Sequence, residues 1–380
     1  MKNIYNLDYY FNSIKYHIYF FDVQIKKSSV TKEALLHDLD IAYMTYKRAK
    51  ESDSNAGNKL VSKLDKHFNI NTIDYSKKDE YEYTLNDLIN KFYYRSNNLH
   101  ELEPIINKYI EENNYLKPLF LLMILLIRLV KVNDPRSVID ENMELYYELK
   151  PYVEKFFVSP FSEMYTIVEI LYSGNKLYEV DFSKHISENM RGLVYNSCAV
   201  NAFLSKNYSL SLYYCEECRK YLIKEYNYSR LEFINLMYFA CLNAVGEYKK
   251  CFYESRLQLI YLSESQRKQE LINATRIHYY TSCLGSEDYE ELLKSISKKD
   301  IFNSNDYIFV LLASYLHDKK IYSSFLIKYE LDKKRFTQRQ KDYVDLIIKF
   351  LSQKNKTIEK EKIMKSELNV GLKKILFEKY

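Results

Sequence analysis

The residue types able to do covalent or metal chemistry are present in this chain, but not at spacings that assemble a catalytic site. Six cysteines occur, at 198, 215, 218, 241, 251 and 283, and only Cys215 and Cys218 form a C-x-x-C. A zinc site needs a second pair or histidines at ligand spacing, and neither follows. On a helix these two thiols sit one turn apart and behave as small buried apolar residues. The seven histidines are scattered, with no H-x-x-x-H or H-E-x-x-H. His37, His67 and His278 therefore read as surface or packing residues, since no orienting acid stands near them in sequence. Glu216-Glu217 and Glu290-Glu291 are adjacent, and adjacent residues diverge by about 100° on a helix, so they share no site. Six isolated glycines make no phosphate loop. The expectation is a protein that is not an enzyme and holds no metal or cofactor.

The scaffold must then be read for binding. The chain has 380 residues, 47% hydrophobic, with only 6 Gly and 5 Pro. That is enough apolar material for a large core and too few turn residues for a β-sandwich or a doubly wound sheet. An all-α chain of helix pairs is expected. Its 40 tyrosines accompany abundant Lys, Asn and Ile and no Trp, which reads as coding bias before it reads as an aromatic surface. The formal net charge is +5, and residues 1–70 hold eleven Lys and Arg against eight Asp and Glu. This excess permits nucleic-acid binding without requiring it. The first residues lack a basic stretch, an apolar run and a cleavage site, which predicts a cytoplasmic, reducing location with free thiols. The most apolar run, Leu119–Ile127, is bounded by Lys117-Pro118 and Arg128. It is too short to span a bilayer and predicts a fully buried helix instead.

Residues 1–75 differ from the rest. Phe11, Ile14, Ile18 and Phe21 recur at helical spacing and predict a helix over 5–25. Three short helices follow. Thr31 is placed to cap the first, with Glu33 in its first turn and Leu35, Leu36 and Leu39 facing inward. The chain breaks at Asp40-Ile41-Ala42, and the second helix runs over 42–51. The third covers 58–68, with Leu60, Val61, Leu64 and Phe68 on one face. Residues 76–82 (SKKDEYE) read as a charged linker. From 83 to 356 the pattern is a helix, a polar turn and a second helix, repeated. The turns LSKNYSLSLYYCEE, AVGEYKKCFYESR, CLGSEDYEELLKSI and LHDKKIYSSFLIKY each place an aromatic at the start of the next helix. Those aromatics are Tyr208, Tyr248, Tyr289 and Tyr322, 40, 41 and 33 residues apart, which suits two-helix repeat units. The tail 357–380, with Val370, Leu372, Ile375 and Leu376 on one face, is expected to cap the array or to form a dimer contact.

The repeats resemble tetratricopeptide-type helix pairs in rhythm and turn aromatic, without the full repeat signature. Val30–Ser52 resembles the helix-turn-helix of lambda-repressor-like (XRE-type) domains: Thr31-Lys32-Glu33 at the helix start, Leu35 and Leu39 in the core, Ile41 after the turn, Tyr46 and Ala49 packing inward. It departs at Asp40 for the turn Gly, Leu36 for a small residue, Ala42 at the cap and Lys50 for a common Glu. The resemblance implies that Tyr43, Met44 and Thr45 meet base edges in the major groove, that Lys47 meets phosphate, and that Arg48 reaches bases or phosphate. A lambda-repressor-like head before such repeats is the layout of RRNPP-type (Rgg/PlcR/PrgX-like) regulators. The implied fold is all-α, a helix-turn-helix domain followed by a right-handed α-solenoid. The implied function is quorum-sensing transcription regulation by a homodimer that binds double-stranded DNA and a short signalling peptide in the concave groove. Asparagines offer an extended peptide both donor and acceptor. The candidates are Asn196, Asn201, Asn235, Asn243 and Asn273, with Arg191, Arg230 and Arg276 for a carboxylate. The alternative is a helical-repeat scaffold that sequesters a signalling partner and binds no DNA. That alternative predicts a head with no exposed basic surface, or one buried against the repeats.

Overall fold

The computed structural model describes residues 10–11, 13–51, 56–71, 75–94, 99–112, 115–131, 142–182, 186–265, 269–299, 301–353 and 356–380. All regular elements among these residues are helices, twenty of them α. In chain order they are α1 (Ile14–Lys27), α2 (Lys32–Asp38), α3 (Tyr43–Glu51), α4 (Ala56–Phe68), α5 (Lys78–Tyr93), α6 (Glu103–Glu111) and α7 (Lys117–Lys131). There follow α8 (Met143–Leu149), α9 (Phe161–Tyr172), α10 (Glu188–Leu204), α11 (Tyr208–Lys224), α12 (Tyr228–Val245), α13 (Tyr248–Glu264) and α14 (Gln269–Gly285). The last are α15 (Tyr289–Ser297), α16 (Ser304–His317), α17 (Lys319–Asp332), α18 (Gln338–Ser352), α19 (Thr357–Lys365) and α20 (Val370–Lys379). No described helix is long and apolar enough to cross a membrane. The run at 119–127 is a core helix, buried at Leu119, Phe120 and 122–127.

The repeated tyrosines open helices because of what precedes them. Lys206, Tyr226, Gly246 and Glu287 hold φ of 60°, 53°, 96° and 65°, each two residues before a helix-opening tyrosine. A left-handed residue lets the following amide reach back to the previous helix. Asn227 N donates to Leu222 O at 2.8 Å, Glu247 N to Leu242 O at 2.8 Å and Asp288 N to Cys283 O at 2.9 Å. Tyr208, Tyr248 and Tyr289 thus begin α11, α13 and α15 as expected, and Tyr228 begins α12. Tyr322 does not begin α17. Asp318 caps that helix through Lys320 N at 2.7 Å, with φ −153°, so it starts three residues earlier. Left-handed backbone strains a side chain with a Cβ by about 1–2 kcal/mol. Tyr226 is 76% exposed and gives little packing in return. Tyr226→Gly is therefore expected to stabilise the chain by about 1 kcal/mol, read as a rise in the thermal midpoint.

The chain divides into two compact units, one of residues 1–205 and 220–230, the other of 206–219 and 231–380. The expected boundary at 76–82 is not among the divisions. Residues 78–82 are the first turns of α5, with Asp79 and Glu80 at its N-terminus and Tyr81 buried. Acids suit that end of a helix, so the charge run is the helix's outer face. Residues 1–75 do not stand apart either. Tyr10 OH donates to Phe156 O at 3.0 Å and accepts from Val158 N at 3.1 Å. Gln24 Nε2 donates to Tyr152 OH at 2.7 Å, and Phe20 stacks on Tyr152. In the other unit α14, α15, α16 and α18 share a core with Ile363, Leu372, Ile375 and Leu376. The tail is thus two helices, α19 and α20, packed into that unit, rather than one helix.

Candidate functional site

The exposed face of α3 is presented by a turn that only a few bonds define. Thr31 Oγ1 accepts from Ala34 N at 3.3 Å and starts α2. Asp40 takes φ 50° where the resembled motif has glycine; aspartate tolerates this better than most residues. Asp40 N then donates to His37 O at 2.9 Å and Ile41 N to Leu36 O at 2.8 Å, closing a Schellman motif. Lys63 of α4 clamps the turn, with Nζ donating to Leu39 O at 2.7 Å and Asp40 O at 2.9 Å.

Behind α3 lies a buried carboxylate. Asp22 Oδ1 accepts from Lys32 Nζ and from Tyr46 OH, each at 2.7 Å, and Oδ2 accepts from Lys50 Nζ. Lys50, a departure from the resembled motif, is thereby a strut between α1 and α3. Burial alone would raise the Asp22 carboxyl, but the bonds from Lys32, Lys50 and Tyr46 hold it below the usual carboxylate range. Leu35, Leu36, Tyr46 and Ala49 are buried, and Leu39 is half-buried. Leu36 fits where the resembled motif has a small residue.

With its back anchored, α3 turns Tyr43 (55% exposed), Met44 (54%), Lys47 and Arg48 to solvent, and Thr45 lies half-buried at the edge. Lys32 and Lys50 both bond Asp22 on the inner side, and Lys47 and Arg48 are exposed on the outer side. The outer face thus groups two cationic side chains with an aromatic ring and a thioether, with the Thr45 hydroxyl at its edge.

The eight groove candidates do not come together. Asn196, Asn201, Arg191 and Arg230 belong to one unit, and Asn235, Asn243, Asn273 and Arg276 to the other. Asn201 is 1% exposed, and its amide donates to Ser173 Oγ at 2.8 Å, Gly174 O at 2.9 Å and Lys176 O at 3.0 Å. Its Oδ1 accepts from Tyr178 N at 2.9 Å. No edge remains for a ligand, so Asn201 holds a loop. Arg230 is buried and caps α5: Nε donates to Tyr93 O at 2.9 Å and Nη2 to Phe92 O. It is unavailable to a carboxylate. Asn243 is fully buried and donates to His278 O at 3.2 Å. Asn235 Nδ2 donates to Gln258 Oε1 at 2.7 Å. Arg191 donates to Ile186 O at 3.3 Å, and Asn196 is half-buried. Asn273 and Arg276 are linked to each other at 3.3 Å on α14, and neither is among the residues that line the opening beside His278.

That opening is a cavity of about 370 Å³ whose walls include Ile277 and His278 of α14, Ile308 and Phe309 of α16, Tyr343 of α18 and Leu372 of α20. Burial pushes the His278 imidazole down to about 4, so it is neutral near pH 7. Its tautomer follows from a neighbour. Asn369 Oδ1 accepts from Gly371 N at 2.9 Å and Leu372 N at 3.3 Å, capping α20. The Asn369 amide nitrogen therefore faces His278 Nδ1 at 3.3 Å and donates to it. Nδ1 accepts, and the ring proton sits on Nε2. The lining also carries Asn305, Glu367 and Asn369, so polar groups, one of them a carboxylate, stand beside the apolar walls. Sequence reading passed over this site because its wall comes from four helices far apart in the chain. No family model, curated protein or solved structure matches the chain in comparison.

Proposed function

We propose that this chain is a DNA-binding transcription regulator of the RRNPP type, with α1–α4 as its reading head and the later helix pairs forming a right-handed α-solenoid that binds a signalling peptide. The observation that carries the reading is the outward face of α3. A helix anchored on one side by Asp22, Tyr46 and Ala49 turns Tyr43, Met44, Lys47 and Arg48 outward beyond a Schellman turn. Two heads on one duplex require a dimer with about 34 Å, or a multiple of it, between recognition helices. For the peptide, the cavity beside His278 takes an apolar side chain against Ile277, Ile308, Phe309 and Leu372, with His278, Asn305 and Glu367 as polar lining.

The test is fluorescence anisotropy with duplex DNA from upstream of the chain's own gene and a scrambled duplex, at 50 and 200 mM salt. Wild type is expected to prefer the upstream duplex and to weaken steeply with salt. The Lys47→Ala/Arg48→Ala double variant is expected to lose at least tenfold in affinity and to flatten the log–log salt slope by about 2. No binding to either duplex at 50 mM salt would sink the DNA half. For the ligand half, small peptides from culture supernatant are titrated calorimetrically. Heat that persists undiminished in His278→Phe would remove the cavity from the proposal.

A further inference from the structure

The outer face of α13 carries residues that solvent does not favour. Its buried line is Cys251, Ser255, Gln258 and Leu262. On the opposite side Lys249, Tyr253, Leu257, Ile260, Tyr261 and Glu264 fall within an arc of roughly 120°. Four of these are large and apolar, exposed by 65%, 67%, 49% and 45% for Tyr253, Leu257, Ile260 and Tyr261. A helix packed by one face ordinarily gives the other to polar groups. A contiguous apolar stripe instead marks an interaction surface. Tyr213 of α11, 50% exposed, widens it, since Glu216 and Arg219 of α11 are tied to Lys250 at 2.9 Å and Glu254 at 2.6 Å.

The order of residues says what covers the stripe. Read outward from Leu257, the stripe is symmetric at its tyrosines and opposite in charge at its ends, while Ile260 is matched across the centre by Glu254. Tyr253 and Tyr261 lie four residues to either side. Beyond them, Lys249 ends one side and Glu264 the other. Neither Lys249 nor Glu264 has an ion pair among the described residues. When two copies of such a helix pack antiparallel about a two-fold axis at Leu257, Leu257 meets itself, each Tyr253 meets Tyr261, and Lys249 faces Glu264 at both ends. A parallel pairing would bring like charges together. We infer that α13 is a two-fold, antiparallel self-association surface, and that its partner is a second copy of this chain. The contact is isologous, so it closes at two subunits. It gives a location to the dimer of the proposed function, and it stands without the DNA reading.

Sedimentation equilibrium of the full chain tests it. Wild type is expected to be a dimer at micromolar concentration. Leu257→Glu is expected to be a monomer with the wild-type helical circular-dichroism spectrum, its thermal midpoint lower only by the concentration-dependent share that dimerisation adds. Lys249→Glu or Glu264→Lys alone should each weaken dimerisation at least tenfold, and the two together should restore it. The six native cysteines are buried, so added thiols report cleanly. Under mild oxidation with oxidised glutathione, Leu257→Cys is expected to cross-link to a covalent dimer and Tyr253→Cys is not. Tyr253→Cys with Tyr261→Cys should cross-link again. A wild type that is monomeric at 100 μM, or a dimer indifferent to Leu257→Glu and to the charge reversals, overturns the inference. Dimerisation without DNA binding would leave it standing and remove only the proposed function.

Discussion

Asp22→Ala lowers the stability of the unit holding α1–α4 by about 3 kcal/mol, because removing one member of a buried charged cluster leaves the others uncompensated. The Asp22 side chain is 12% exposed, and those of Lys32 and Lys50 are 31% and 27% exposed. Water reaches the lysines only in part, and Tyr46 OH is left with no acceptor. The loss should appear as a lower urea midpoint and as weaker DNA binding, since α3 loses its strut. The pH dependence has a fixed sign. The folded carboxyl titrates below its ordinary value, so its stabilisation is fully present above the unfolded value of about 4. It disappears as pH falls through the lower folded value. Wild type and Asp22→Asn should therefore differ most at pH 6–7 and converge near pH 2. A constant gap across that range would mean that packing, not charge, holds the helices.

Asn201→Ala is expected to cost about 2–4 kcal/mol, the range for a buried polar network broken at its centre. Four bonds disappear at once. Tyr178 N–H loses its acceptor, and the carbonyls of Gly174 and Lys176 lose their donor, in a place with almost no access to water. Asn201→Asp keeps the shape but turns an oxygen toward three acceptors, so it should be no better. The two readings of this residue separate here. A peptide contact would change ligand affinity and leave the melting curve alone, whereas a loop clamp lowers the melting curve and leaves affinity per folded molecule intact. Calorimetric titration beside a thermal melt distinguishes them.

Much of the local structure was legible in the residues. Thr31 as a cap, the inward Leu35, Tyr46 and Ala49, the buried run at 119–127 and the tyrosines opening α11, α13 and α15 depend on neighbours within a few positions. So does Asp40, where an L-residue that tolerates positive φ marks a turn whether or not glycine is present. Short-range periodicity and backbone sterics act along the chain, and the sequence is written along the chain.

What tertiary structure alone decided lies across the chain. The sequence determined that the protein is helical and placed several helix starts, among them those at Lys32, Tyr208, Tyr248 and Tyr289. It did not show that Tyr10 bonds to Phe156, 146 residues away, and so it suggested a detached head where one packed unit exists. It did not separate the asparagine that clamps a loop from one on the surface, since an amide is equally able to bond a ligand or a carbonyl. Nor did it assemble the cavity beside His278 or the cluster at Asp22. Each of these depends on which distant groups burial brings within about 3 Å, and that is set by packing the apolar faces together rather than by spacing within any one of them.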